Sequence, residues 1–525
     1  MGGVIAAGSQ ATAVAGATIL TQGGNAVDAA VAAAFASFIA EAGVVHLGGS
    51  GIAHLYDAQN GRSQVYDFFS NAPGLGAAPP HKIDFAGVTI DFGSTTQDFH
   101  LGRASVAVPG NIFGLCQMAA DHGRLPLTTL LQPALQLAQE GVILDKFQTD
   151  TARLLEPLYT HTPAIRQIFA PNGRLLQAGE KIFIPDLAHT LAALAAEGET
   201  FIRSGRLAQA ILQDQQANGG LLTPDDLRHY TVHQPNSIRI PYRDYEVLLP
   251  PLSSVGGIFT AFTLKLLSRF ELHNLGYGTA RHLQLLYEIM AATTRARALW
   301  DSQHDAMPLH EFLDEAFIGR FHTEIEQALW AKRPSAILPE AKSPNNTSHL
   351  SVIDDDGLAV SLTTSAGESA GYVVPGTGFI PNNMMGEEDL HPLGFHTRPA
   401  GQRIATMMTP AIVLKNNQPR LVTGSGGSAR IRSAILQVLS NLLDFGLTLQ
   451  DTVQTARVHI ENGVLQCEAG YNEPAIAELE RLGYPVNRWQ TRSLYFGGAH
   501  TVSRTENGRL VGAGDNRRGG ATAVV

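Results

Sequence analysis

Asn345-Asn346-Thr347-Ser348-His349-Leu350-Ser351-Val352-Ile353-Asp354 is the stretch on which the fold turns. Leu350 and Val352 alternate with His349, Ser351 and Ile353. Asp355-Asp356-Gly357 then marks a turn, and a second β-rich run extends from Leu358 to Ser365. Two such runs about a tight turn predict an antiparallel hairpin. On this pattern alone Thr347 is an ordinary threonine at the start of a strand, a place β-branched residues favour. The rest of the chain changes what that threonine implies.

The chain has 525 residues, long enough for a large core and more than one domain. Hydrophobic residues at 44% and charged residues at 16% describe a well-folded globular protein rather than a disordered one. The net charge of −10, without a long basic run, argues against a nucleic-acid partner. Cys116 and Cys467 alone make no disulfide framework. The opening Met1-Gly2-Gly3-Val4-Ile5-Ala6-Ala7 has no basic n-region, and alanine at position 6 breaks the myristoylation pattern. The most apolar helical stretch, Ala29 to Ala40, is too short to span a bilayer. The sequence as it stands predicts a soluble, cytoplasmic protein, or a secreted one if a leader has been removed.

Glycine-punctuated α/β segments lead the chain. Gly23-Gly24-Asn25-Ala26-Val27-Asp28 precedes an alanine-rich helix, with Asp28 placed where a negative charge suits the helix N-terminus. Leu127, Leu130, Leu131, Ala134, Leu135 and Ala138 recur at helical spacing; Pro133 should kink that run and Gly141 should cap it. Asn472 and Gly483 bracket a helix carrying Ile476, Leu479 and Leu482, before a strand led by Pro485. The segment from Asp389 to Gln402 reads as a loop and a candidate lid.

Several ordered blocks carry a resemblance. They include Gly23 to Val31, Gly48-Gly49-Ser50-Gly51, Ser105 to Gly110, Pro133 to Ala138, Asn218 to Thr223 and Tyr242 to Val247. Later come Asn346 to Val352, Gly376 to Asn383 and Thr423-Gly424-Ser425-Gly426-Gly427-Ser428. Together they span nearly the whole chain, and in this order they resemble the γ-glutamyltransferase family of N-terminal-nucleophile hydrolases. The resemblance implies an α+β fold: a four-layer αββα sandwich, with two stacked, mainly antiparallel sheets between helical layers. It also implies a precursor that cuts itself between Asn346 and Thr347. Residues 1–346 and 347–525 would then form one interwoven globule of a large and a small chain.

The chemistry implied is economical. A threonine hydroxyl is a poor nucleophile until a base takes its proton. An α-amine titrating near ~7.7–8.0 does this near neutral pH, so one cleavage would make Thr347 both nucleophile and base. The resemblance gives Ser365 the place of a second hydroxyl bonded to the new amine; a strand-end serine satisfied by backbone is the competing reading. Gly426 and Gly427 take the oxyanion-hole place, with a shift to Gly427 and Ser428 as the alternative register. His349, beside the nucleophile, reads as structural, because the amine already fills the role of base.

Departures concern the acyl group. The family's carboxylate-gripping arginine falls at Phe69, after Asp67-Phe68, and an arginine fork and a phenyl ring suit opposite ligands. Arg103 and Arg398 are the candidates to replace it. The paired serines for the same carboxylate fall at Thr406 and Met407. For the α-amine, the expected amide side chains fall at Gly367 and Met384, while the acidic partner falls at Glu387. Glu368 or Glu388 could add a second carboxylate, and a solvated loop acid is the plain reading of Glu387.

The leading expectation is γ-glutamyl transfer from glutathione-like donors to water or an amine. The alternative keeps the chemistry with a different acyl group, as in a cephalosporin-type acylase, favoured by Phe69 and Met384. A non-catalytic relative comes third. A dinucleotide-binding reading of Gly424-x-Gly426-x-x-Ala429, with Asp444 twenty residues past the first glycine, comes last because that aspartate directly follows a helix. No cofactor and no metal are called for, and no H-E-x-x-H spacing occurs.

Overall fold

The computed structural model describes residues 2–78, 80–91, 96–303, 307–335 and 347–525. Asn346 and the segment leading to it, and with them the expected cut, lie outside the described residues. The hairpin stands as the alternation implied: the strands Ser348–Asp354 and Leu358–Ser365 pair antiparallel, from Ser348 opposite Thr364 to Ile353 opposite Ala359.

That hairpin is the centre of a six-stranded sheet. In order across the sheet the strands are Ala521–Val524, Gly3–Ala7, Ser348–Asp354, Leu358–Ser365, Ser50–Asp57 and Arg62–Phe68. A second six-stranded sheet runs Leu510–Ala513, Thr501–Arg504, Gln418–Thr423, Ala411–Lys415, Tyr245–Leu249 and Ile238–Tyr242. Residues from both ends of the chain thus flank the central hairpin, and the pairings within both sheets are antiparallel.

The two sheets meet over a thin apolar layer. Val4, Ala6, Tyr56, Ile353 and Ala359 from the first pack against Leu248, Ile412, Leu414, Val422 and Val502 from the second. The outer face of the first sheet is covered by the helices Gln10–Thr21 and Ala26–Ala40, and that of the second by Val255–Leu267, Ala280–Gln303 and Arg430–Leu443. The architecture is the four-layer αββα sandwich of the N-terminal-nucleophile hydrolases. Each sheet has an apolar pattern on both faces because each is covered on both faces.

Alanine makes the first helical layer possible. All fifteen residues of Ala26–Ala40 are buried, and a capping box of Asn25 and Asp28 closes its N-terminus. A Cβ added at Gly16, on the neighbouring helix, would stand 2.5 Å from Ile5 Cδ1 and 3.1 Å from the Ala29 carbonyl. Small side chains therefore set the close spacing of helix on helix and helix on sheet. The proline-bearing run breaks rather than bends: Leu127–Leu130 and Gln132–Glu140 are separate helices, with Pro133 in the first turn of the second and Gly141 (φ 72°) after it. Glu473–Arg481 follows Asn472 as read, though the Asn472 side chain makes no capping bond. Both cysteines are buried and unbridged. Among the described residues, no helix is long and apolar enough to cross a membrane.

Candidate active site

The open end of the central hairpin places the candidate catalytic hydroxyls. Ser348 faces Thr364, and one step beyond that pair stand Thr347 and Ser365. Both line a small cleft with Phe69, Gly367, Met384, Glu387, Asp389, Leu390, Thr406, Met407, Met408, Ser428 and Ile431. Residues drawn from six separate stretches of the sequence converge there. Phe69 follows the edge strand Arg62–Phe68, and Ile431 comes from the first turn of the helix Arg430–Leu443.

Thr347 is buried, and its carbonyl is gripped from behind by Arg518, whose Nη1 donates at 3.3 Å. Gly426 makes this approach possible: a Cβ there would stand 2.1 Å from the Thr347 carbonyl oxygen. Ser365 Oγ accepts the Gly367 N–H at 3.0 Å. His349 points away from the chemistry. Its ring nitrogens lie 2.9 Å from Thr363 Oγ1 and 2.9 Å from Ser351 Oγ, and burial keeps it neutral, with a smaller push from His500.

The glycine run turns from the strand Gln418–Thr423 into the helix Arg430–Leu443. The Gly426 N–H is directed to Gly498 O at 3.4 Å, and Ser428, rather than Gly426 or Gly427, is the member lining the cleft. Gly427 has φ 115° and Ser428 φ 49°, so the backbone here adopts left-handed conformations that aim peptide groups unlike a strand or helix would. The 14-residue helix behind it adds a partial positive charge to this end of the cleft. The dinucleotide reading falls away. Asp444 sits at the far end of that helix, holding Arg243 at 2.7 Å and accepting from Tyr242 at 2.5 Å.

Phe69, Met384, Met407, Met408, Leu390 and Ile431 give the cleft apolar walls, and among the described residues no arginine or lysine lines it. The Phe69 backbone is held by Asp67, Tyr230 and Arg403. Neither candidate substitute for the missing arginine enters the cleft. Arg103 is bound to Asp214 and Asp84 and stacks on Tyr372. Arg398 donates to the Leu390 carbonyl at 3.4 Å, on the outer side of the wall. The segment from Asp389 to Gln402 contributes Asp389 and Leu390 to the cleft, while Leu393 on it is exposed.

Thr406 Oγ1 accepts from the Met408 N–H at 3.2 Å, and Met384 Sδ accepts from Ser70 Oγ at 3.1 Å. Glu387 is not a solvated loop acid. It is 1% exposed, its Oε1 has no hydrogen-bond partner among the described residues, and a Cβ at Gly367 would stand 2.1 Å from that oxygen. Burial raises its carboxyl well above the usual range, and the charges of Asp389 and Glu368 push the same way.

Sequence reading missed Asp389, Met408, Ile431 and Arg518. Arg518 had a faint signal, a pair of arginines in the terminal Asp515-Asn516-Arg517-Arg518; the apolar residues had none, since nothing separates a cleft methionine from a core one.

The sandwich and a threonine-headed strand at the cleft define an N-terminal-nucleophile hydrolase fold. The γ-glutamyltranspeptidase family model matches residues 12–525, and the chain belongs to that family: it is an enzyme of the γ-glutamyltransferase type. It is 32% identical to the acylase ACY 1 proenzyme of Pseudomonas sp. (strain SE83) over 529 residues, covering 100% of this chain and 93% of the relative. It is 30% identical to the glutathione hydrolase proenzyme of Escherichia coli (strain K12) over 536 residues, covering 98% of this chain and 90% of the relative. The cephalosporin acylase of Bacillus halodurans superposes with a TM-score of 0.83 at 25% identity, covering 99% of this chain and 95% of that one.

Proposed function

We propose that the protein is a self-processing amide hydrolase of the acylase type, in which Thr347 is the nucleophile and its α-amine the base. Cleavage between Asn346 and Thr347 yields the large chain 1–346 and the small chain 347–525, which remain associated. The Thr347 hydroxyl attacks the substrate amide carbonyl, its proton passes to the α-amine, and the amine leaving group departs with a proton from the same source. Water or an amine then resolves the acyl-enzyme. Gly427 and Ser428 supply the backbone N–H groups for the oxyanion, since the Gly426 N–H is directed to Gly498. Removing one such donor typically costs about 10²–10³ in rate.

The observation that carries the choice of acyl group is the lining of the cleft. Phe69 takes the place that the resemblance gives to a carboxylate clamp, and among the described residues the apolar walls of methionine, leucine and isoleucine carry no arginine or lysine. An acyl group with an apolar body is favoured, and a free α-carboxylate would be buried without a partner. The similar proteins named above include acylases, which supports the same reading. γ-Glutamyl transfer is the second reading, favoured by Glu387, whose unpartnered oxygen suits a substrate ammonium. Intact mass of the purified protein near neutral pH, followed by kcat/KM for a set of acyl p-nitroanilides, tests both. Apolar acyl donors turned over better than the γ-glutamyl donor support the acylase; the reverse order supports γ-glutamyl transfer. An uncut, inactive chain counts against both.

A further inference from the structure

Arg518 is a buried cation without a carboxylate. It is 3% exposed and forms no ion pair among the described residues, whereas its neighbour Arg517 pairs with Glu468 and Asp515. Nη1 donates to Thr347 O at 3.3 Å, Nη2 donates to Leu494 O at 3.2 Å, and Nε has no acceptor. Three glycines make room for it. A Cβ would stand 2.5 Å from Arg518 Cδ at Gly498, 3.1 Å from Nη1 at Gly426 and 3.5 Å from Nη2 at Gly427. Burying a cation with only two carbonyls as partners is costly. A fold needing nothing but two hydrogen bonds there would be served by a neutral donor.

We propose that Arg518 is a positioning residue for Thr347: its guanidinium fixes the Thr347 carbonyl, and its charge favours the unprotonated form of the α-amine released by cleavage. This rests on the reading of Thr347 as the N-terminal nucleophile. In the attack the Oγ–H bond breaks and an N–H bond forms on that amine, so the amine must carry a lone pair beforehand. A cation a few ångströms away, itself buried, opposes a second positive charge.

Other charged and titratable groups face the same site. Arg430 acts in the same sense; Glu387 and Asp389 oppose it from the cleft, and Glu368 and Asp515, near Arg518, oppose it too. Glu41 reaches Ser348, the next residue along. His349 and His500 are held neutral by burial. Among the described residues, Arg518 is the charged side chain bonded to Thr347 itself.

The test is competitive labelling of the Thr347 amine with acetic anhydride across pH, read by mass spectrometry on the small chain, beside the pH profile of kcat/KM. Arg518→Gln keeps a donor and removes the charge, Arg518→Met removes both, and Arg518→Lys keeps the charge. The midpoint of amine labelling should rise by about one pH unit or more in the Gln and Met variants, and stay near the wild-type value in Lys. The acid limb of kcat/KM should move with it. Glu41→Gln should leave the amine midpoint within a few tenths of a unit. Unmoved midpoints in folded, cleaved Gln and Met variants would overturn the proposal. If those variants do not accumulate, the wild-type midpoint decides: one at or above ~7.7–8.0, the ordinary α-amine range, overturns it, and one clearly below supports it. Failure of the underlying reading looks different, because an uncut chain has no Thr347 amine to label.

Discussion

Ser348 Oγ donates to Glu41 Oε2 at 2.5 Å, tying the residue beside the candidate nucleophile to the C-terminal end of the helix Ala26–Ala40. Thr12 donates to the other oxygen at 2.6 Å. Burial raises Glu41 from 4.5 to about 7; the bonds from Ser348 and Thr12 pull it down, and Asp145 pushes it up. A group whose folded pKa is raised contributes stability that is fully present below its unfolded value and is lost as pH rises through the folded one. Melting temperature should therefore decline from about pH 5 to pH 8, with a free-energy loss of up to roughly 3 kcal/mol from this group. Glu41→Gln should flatten that slope while keeping a side chain able to meet Ser348 and Thr12. An equally steep slope in the variant would remove Glu41 from the account.

Thr347→Ala should leave an uncut, inactive chain of full mass. The substitution removes a hydroxyl and a methyl group from a buried site, so the fold should survive with a change within about 1–2 kcal/mol. Two fragments in that variant would sink the assignment of the nucleophile. Ser365→Ala should slow processing or turnover roughly tenfold or more, with a melting temperature close to the parent. Normal kinetics would return Ser365 to a purely structural role, bonding the Gly367 N–H.

Phe69→Arg should raise kcat/KM for γ-glutamyl p-nitroanilide and lower it for apolar acyl donors. The fork would enter the cleft in place of a ring packed with Ile52, Met384 and Met408. Loss of that packing should cost about 2–4 kcal/mol of stability. An unchanged donor preference in folded protein would show that the missing clamp does not set specificity.

Glu387 should make donor binding depend on pH. Its carboxyl stands well above the usual range, first because of burial and then because of Asp389 and Glu368, so it is held protonated to higher pH than a surface acid. Donors carrying an ammonium should bind better as pH rises and the carboxylate forms, with KM falling. Glu387→Gln should abolish that dependence and raise KM for such donors by about tenfold, leaving neutral donors little affected. A parallel change for both donor classes would mean that Glu387 shapes the cleft without reading charge.

Asp515→Ala should be strongly destabilising. Asp515 accepts from Arg457 at 2.7 Å and Arg517 at 3.1 Å, both buried, and from the Ala499 N–H at 2.9 Å. Burial opposes its charge, yet Arg457 and Arg517 together hold it well below the usual carboxylate range. Removing Asp515 takes from the buried Arg457 its carboxylate partner, while Arg517 keeps Glu468, at a cost of about 3–5 kcal/mol. Because the network anchors the turn bearing Arg518, activity should fall before unfolding does. Chemical denaturation and rate measured on the same sample separate the two.

The hairpin from Ser348 to Ser365 and the capped alanine helix were readable from local pattern, because each depends on neighbours a few residues apart; the run around Pro133 was expected to kink and instead breaks at Leu131. The ordered blocks carried the family and hence the four layers. The cleft was only partly legible. Phe69, Met384, Glu387 and Thr406 could be named from the resemblance, but not that Glu387 is buried with an unpartnered oxygen, or that Arg103 and Arg398 point elsewhere. Those facts depend on where chain segments hundreds of residues apart come to rest, as do the grip of Arg518 on Thr347 and the bond from Ser348 to Glu41. Periodicity and turn chemistry, which act over a few residues, were determined by the sequence itself; burial, charge pairing and the lining of the cleft were decided only by tertiary packing, since they are set by contacts that local sequence does not encode.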